Sequence, residues 1–198
     1  MQPYFMPYIG YFQLMTAVDK FVFYDDAGFI KQGWINRNNI LLNGQRHLFT
    51  IPVRHISSNA RIKETLVATT PPNWERALLR TFEQAYRKTL YFDAVFPFIA
   101  DILRGSAGRS VADVAVESIE KTALYLGIEP TTGRSFGTYD NLHLTSTARV
   151  IDICRQEGAT TYINAIGGQS LYDKGDFEKH NRNLLIFRNE AHIRDFKL

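Results

Sequence analysis

The chain has one cysteine, Cys154, in 198 residues. That excludes an internal disulfide and suits a reducing, cytoplasmic environment. Cys154 follows Val150, Ile151 and Ile153, an apolar pattern that fits a buried small hydrophobe better than a nucleophile. No apolar run reaches the length a bilayer span needs, so membrane insertion is not expected. The opening also lacks the basic-then-apolar layout of a secretion signal. Charge of one sign is nearly absent in excess. The net charge is +3, and Arg and Lys alternate with Glu over residues 74–90. Such alternation makes a solvated helix face, not a phosphate-tracking stripe, and nucleic acid is not an expected partner. Familiar chemical motifs are missing too. There is no Gly-x-Ser-x-Gly, no G-x-G-x-x-G and no P-loop, so neither an esterase nucleophile nor a standard nucleotide cradle has local support. His47, His55, His143, His180 and His192 include no pair at metal-ligand spacing on one helix, and a dedicated zinc site is not expected.

Aromatics are plentiful, and many fall in the first 34 residues. Pro3 and Pro7 forbid a regular helix at the start, and Gly10 permits a tight turn. A short helix is expected over 11–18, then a buried strand at Phe21-Val22-Phe23-Tyr24 that stops at Asp25-Asp26. Residues 27–39 carry no helical or strand periodicity and read as a polar, aromatic loop. Asn43-Gly44 lies between the apolar runs 40–42 and 47–53, a strong hairpin cue. Trp74, Leu78, Leu79, Phe82, Ala85 and Tyr86 recur at helical spacing. A second helix is expected over 96–103 with Pro97 near its start. A third opens at Ser110, which with Asp113 resembles a capping box, and closes at Gly127. Residues 133–141 read as a loop. A helix capped by Thr145 or Ser146 runs to Gln156 before Gly158. Strands follow at 160–166, ending in Gly167-Gly168, and at 184–187.

Strands that alternate with helices argue for an α/β protein. The expected architecture is a parallel-sheet, Rossmann-like core with a β-hairpin insertion and a helical middle subdomain. All of it is one domain: 1–70 and 131–198 form the α/β core, and 71–130 the helical part.

In open α/β sheets ligands bind beyond the carboxyl ends of strands. Two places qualify: Asp25-Asp26, and Asn164 to Asp173. A carboxylate at Asp25 or Asp26 can orient an amine or hydroxyl, act as general base, or hold Mg²⁺. Equally, both can be turn residues satisfying local N–H groups. Lys31 and Arg37 suit a phosphate or carboxylate, Arg37 in bidentate fashion. Trp34 can stack on a sugar or base face, or anchor the loop on the core. Gly167 and Gly168 permit positive φ or close backbone approach to a ligand, or form a plain turn.

Three blocks carry a family resemblance. The first runs from Gln2-Pro3-Tyr4-Phe5 through Pro7-Tyr8-Ile9-Gly10-Tyr11-Phe12-Gln13-Leu14. The second is Tyr24-Asp25-Asp26 with Phe29-Ile30-Lys31 and Gly33-Trp34-Ile35-Asn36-Arg37-Asn38. The third is Thr160-Thr161-Tyr162-Ile163-Asn164 with Gly167-Gly168 and Leu171-Tyr172-Asp173. Together they resemble the WbqC-like family over nearly the whole chain. In that pattern an apolar strand precedes the Gln-Pro motif and a further stretch follows the end. Asn181-Arg182-Asn183 replaces the usual Gly-Ile continuation.

The family occurs in bacterial gene clusters for O-antigen and other surface polysaccharides. The resemblance implies a glycyl or aminoacyl transferase acting on an activated sugar or amino-acid intermediate, with a small-molecule substrate. Asp25 or Asp26 would be base or amine anchor. Lys31 and Arg37 would hold phosphate or carboxylate. Gln2, Tyr4, Tyr11 and Asn36 would supply hydrogen bonds, with Trp34, Asn164, Gly167, Gly168 and Asp173 lining the site. Two alternatives stand beside this. One is a nucleotidyl- or adenylate-forming transferase using Mg²⁺ with a nucleotide or activated sugar; Ser146-Thr147-Ala148-Arg149 is faintly like a second motif of such enzymes. The other is a non-catalytic binding protein of the same pathway.

Overall fold

A computed structural model describes residues 1–54, 57 and 59–187. His55 and His192 of the histidine set, and the end of the chain from 188, lie outside the described residues. The chain divides into two compact units. One holds Met1, Tyr8–Phe21 and the chain from Pro130 onward; the other holds Gln2–Pro7 and Val22–Glu129.

The second unit contains the hairpin and three successive helices. β2 (Arg37–Leu42) and β3 (Gln45–Thr50) pair antiparallel, Arg37 opposite Thr50 and Leu42 opposite Gln45. Asn43 and Gly44 have φ of 52° and 74°. Two consecutive left-handed residues are what a two-residue turn matching strand twist requires. Directly opposed residues share a face. Phe49 is buried and Ile40 packs on the core, so their face looks inward. β2 starts at Arg37, three residues before the apolar run, because Asn38 turns inward and bonds to backbone. β1 (Phe21–Phe23) precedes this hairpin.

α2 (Trp74–Tyr86) buries Trp74, Leu78, Leu79 and Phe82, the face its periodicity marks. α3 spans Phe92–Arg104, so Pro97 lies inside the helix and not near its start. The first turn closes upstream, where Ala94 and Val95 N–H donate to the Tyr91 carbonyl at 3.2 and 3.0 Å. Phe92 stacks on Phe96 at 4.6 Å, an i,i+4 contact that supports the extra turn. α4 (Val111–Tyr125) begins at Ser110, whose Oγ accepts from Ala112 N–H at 3.2 Å. Gly127 follows with φ of 71°. Phe5, Phe49 and Phe82 meet edge-to-face at 6.1 and 5.0 Å, joining the opening segment, β3 and α2 in one core.

The first unit contains α1 (Ile9–Thr16), β4 (Thr132–Arg134), α5 (Ser146–Gln156), β5 (Thr161–Ala165), a 3-10 turn over Ile166–Leu171, α6 (Lys174–Glu178) and β6 (Asn183–Phe187). β5 and β6 pair parallel, Thr161 opposite Asn183 and Ala165 opposite Phe187. Val150, Ile151, Cys154, Phe177 and Leu184 form the core beneath them. The fold is thus mixed α/β with a parallel strand pair, a hairpin and a helical middle. Among the described residues no sheet exceeds two strands, so a continuous Rossmann-type sheet is not seen there. No helix of the described residues is long and apolar enough to cross a membrane.

Candidate functional site

β1 delivers the chain to Asp25 and Asp26, which are 0% and 4% exposed. Their backbone is fixed from one side by residues 60–63. Lys63 N–H donates to the Asp25 carbonyl at 2.8 Å, Ile62 N–H to Ala27 at 2.9 Å, and Phe29 N–H to Ala60 at 2.8 Å. That segment is itself clamped to the start of α4. Ser110 Oγ donates to the Lys63 carbonyl at 2.6 Å, and Lys63 Nζ pairs with Asp113 at 2.6 and 2.8 Å. An adjacent pair of buried carboxylates is therefore held on a doubly braced backbone. Deep burial of carboxylates is uncommon and requires compensating bonds.

The polar stretch that follows is less a loose loop than a set of struts. Asn36 is buried; its Nδ2 donates to the Ile51 carbonyl at 2.7 Å while Ile51 N–H donates to the Asn36 carbonyl at 2.8 Å. Asn38 Nδ2 donates to Phe5 and Met6 carbonyls at 3.2 and 2.5 Å. Phe5 N–H donates to Ile35 at 3.1 Å and Met6 N–H to Ser118 Oγ at 3.1 Å. The opening segment carrying Gln2 and Tyr4, both half-buried, is thereby tied to residues 35–38. Arg37 Nε donates to the Gly33 carbonyl at 2.9 Å, closing the turn before β2. Lys31 is exposed and Trp34 is 49% exposed. The guanidinium of Arg46 lies 5.9 Å from the Trp34 ring.

The remaining expected residues lie in the other unit. Tyr11 is fully buried against Phe21, 5.3 Å between centroids. Asn164 is buried at the end of β5, and its Nδ2 donates to the Gly168 carbonyl at 3.1 Å. A Cβ on Gly168 would overlap that Nδ2, whereas one on Gly167 would meet nothing within 4 Å. Neither glycine has positive φ, so Gly168 serves a close approach, and the approaching group is Asn164. Asp173 caps α6, accepting from Gly175 N–H at 2.8 Å.

A buried polar network in this unit escaped the sequence reading. Arg149 is buried on α5, and its Nε donates to Asn141 Oδ1 at 2.9 Å. Asn141 Nδ2 donates to Asp152 Oδ2 at 2.8 Å. Asn141 chiefly, with Arg155 and Gln156, holds the Asp152 carboxyl below its usual range. Tyr139 donates to Glu157 at 2.5 Å, and Lys20 pairs with the other Glu157 oxygen. Lys20 first and Tyr139 second lower Glu157, while burial pushes the Tyr139 hydroxyl up. The usable signal was Arg149 immediately before the apolar Val150-Ile151, a charge at the margin of a buried helix face. Burial also raises the Cys154 thiol, as befits an inert core cysteine. Among the described residues no group of three His, Cys, Asp or Glu side chains is placed to hold a metal ion.

The site thus defines a mixed α/β protein with a braced, buried acidic pair at a strand end. The chain belongs to the WbqC-like protein family, whose model matches residues 2–194. It is 28% identical over 197 residues to the Mycobacterium tuberculosis (strain ATCC 25618 / H37Rv) protein named "Uncharacterized protein Rv1507c", covering 99% of this chain and 83% of that one. No solved structure matches it.

Proposed function

We propose that the protein is a small-group transferase, passing a glycyl or aminoacyl group between activated sugar or amino-acid intermediates in bacterial surface-polysaccharide (O-antigen) biosynthesis. The observation that carries this reading is the burial of two adjacent carboxylates where β1 ends, the position at which α/β proteins bind ligands. In the transfer, a hydroxyl or amine of the acceptor forms a bond to the acyl carbon as the leaving group departs with its electron pair. The acceptor's proton passes to a carboxylate. A general base placed this way contributes about 10²–10⁴ in rate. Asp25 or Asp26 takes that role or anchors the amine of the transferred group. Arg37, whose Nε bond to Gly33 leaves its remaining N–H donors directed away from that bond, suits a phosphate or carboxylate. The Asn36 amide nitrogen is committed to the Ile51 carbonyl, so Asn36 holds the start of β2 and takes no part in the transfer.

The test is glycyl incorporation read by mass spectrometry in cells lacking their own copy and complemented with variants. At least one of Asp25→Asn and Asp26→Asn, and also Arg37→Ala, should abolish the glycylated product while their circular dichroism matches wild type. Unchanged product in all three variants refutes the proposal.

A further inference from the structure

One surface of the second unit enters the proposed transfer only through Arg37. It is the outer face of the β2–β3 hairpin. By register it carries Arg37, Asn39, Leu41, Arg46, Leu48 and Thr50, opposite the face that buries Phe49. Leu41, Leu48 and Trp34 are each about half exposed there (48%, 47% and 49%). The surrounding sequence is one-sided in charge: residues 27–63 contain six Lys or Arg and neither Asp nor Glu. Among the described residues Lys31, Arg37 and Arg46 have no carboxylate partner. Arg37 is tied by Nε to Gly33, and Arg46 by Nε to Asn39 Oδ1 at 2.9 Å. Each guanidinium group is thus oriented by one bond, and among the described residues no hydrogen bond or ion pair engages its terminal nitrogens.

A half-exposed indole and oriented, unneutralised guanidinium groups on one sheet face make a specific combination. The ring gives a flat apolar platform, and the Arg46 guanidinium lies 5.9 Å from its centroid. The arginines give forked donors for an oxyanion. We infer that this face binds a phosphorylated sugar, the C–H face of the sugar on Trp34 and the phosphate on Arg46 and Arg37. The sugar half of this assignment rests on the transferase reading; the anionic half rests on the charge of the face alone.

The test uses full-length protein labelled with ¹⁵N-tryptophan. Only Trp34 and Trp74 give indole signals, and Trp34→Phe identifies which is which. Trp74 is buried with its Nε1 on the Ala68 carbonyl at 3.0 Å, so it serves as an internal reference. Glucose 1-phosphate at millimolar concentration should move the Trp34 signal saturably and leave Trp74 still. Glucose 1-phosphate should bind Arg46→Ala about tenfold more weakly, the loss of one charge-assisted bond, and glucose or inorganic phosphate alone should bind wild type more weakly than the ester does. No movement of Trp34, or equal binding by Arg46→Ala, overturns the inference. So does AMP binding at least as tightly, which would make the occupant a nucleotide. A Trp34 response in a protein that transfers nothing keeps this face and removes the transferase; transfer without any Trp34 response does the reverse.

Discussion

Gly33 sits between Lys31 and Trp34, in the turn that launches β2. Its N–H donates to the Ile30 carbonyl at 3.0 Å, and its carbonyl accepts from Arg37 Nε at 2.9 Å. A Cβ added here would lie 2.9 Å from the Ile30 carbonyl oxygen and 3.1 Å from Ile30 Cβ. The first of these is backbone and cannot swing aside, so Gly33→Ala must open the turn. Overpacking of this kind costs about 1–3 kcal/mol. Weakening the bond that orients Arg37 adds about 1 kcal/mol. For a chain of this size 2 kcal/mol is roughly 4–8 °C in Tm. Gly28 is the matched control. It lies in the same segment, and a Cβ there meets nothing within 4 Å. Gly28→Ala should leave Tm unchanged or raise it slightly, through lost entropy of the unfolded chain, by about 0.4–1 kcal/mol. Urea unfolding followed by circular dichroism on both variants measures the difference directly. Equal stability of the two would refute the claim that the Ile30 contact requires a glycine at 33.

Other outcomes follow from the same geometry. Asn36→Ala should cost about 1–3 kcal/mol in urea unfolding, because it leaves the buried Ile51 carbonyl without its side-chain donor. Gly168→Ala should destabilise by at least about 1 kcal/mol while Gly167→Ala does not, since only the former displaces Asn164; placing Asn164→Ala behind Gly168→Ala should make the pair non-additive in a double-mutant cycle. Gly44→Ala, at φ of 74°, should cost about 1 kcal/mol by urea titration. Glu157 titrates below its ordinary 4.5 because Lys20, then Tyr139, favour the charged form. A depressed carboxyl adds stability above its unfolded value that is lost as pH falls through the lower folded value. Glu157→Gln should therefore have a lower Tm than wild type near neutrality, and the gap should close below about pH 4.5.

Local rules made much of the fold legible. The 3.6-residue period of 74–86 marked α2, and Ser110 and Gly127 marked the ends of α4. Asn43-Gly44 fixed the hairpin turn because only left-handed residues match the strand twist. Where the reading stopped short, side chains had bonded to distant backbone. Arg37-Asn38-Asn39 look like loop because they are polar; they are strand because Asn38 reaches Phe5 and Met6, which no window of sequence contains. The turn of α3 ahead of Pro97 comes from Tyr91 accepting two N–H groups and from Phe92 stacking on Phe96. α6 had a sign in Asp173, taken instead for a site residue. In the candidate site, the acidic pair's place at a strand end was readable from Phe21–Phe23. The bracing of that pair by residues 60–63 and Ser110 was not, because it joins segments far apart in sequence. The Tyr139–Glu157 and Asn141–Arg149–Asp152 bonds were hidden for the same reason.

The claim that the acidic pair performs transfer is tested most directly by comparing Asp25→Asn, Asp26→Asn and Asn36→Ala for glycyl incorporation, at a temperature where all three are folded by circular dichroism. The account predicts that at least one Asp variant loses about 10²–10⁴ in rate, the contribution of a general base, while Asn36→Ala retains most of it. Transfer at the wild-type rate by both Asp variants would contradict it.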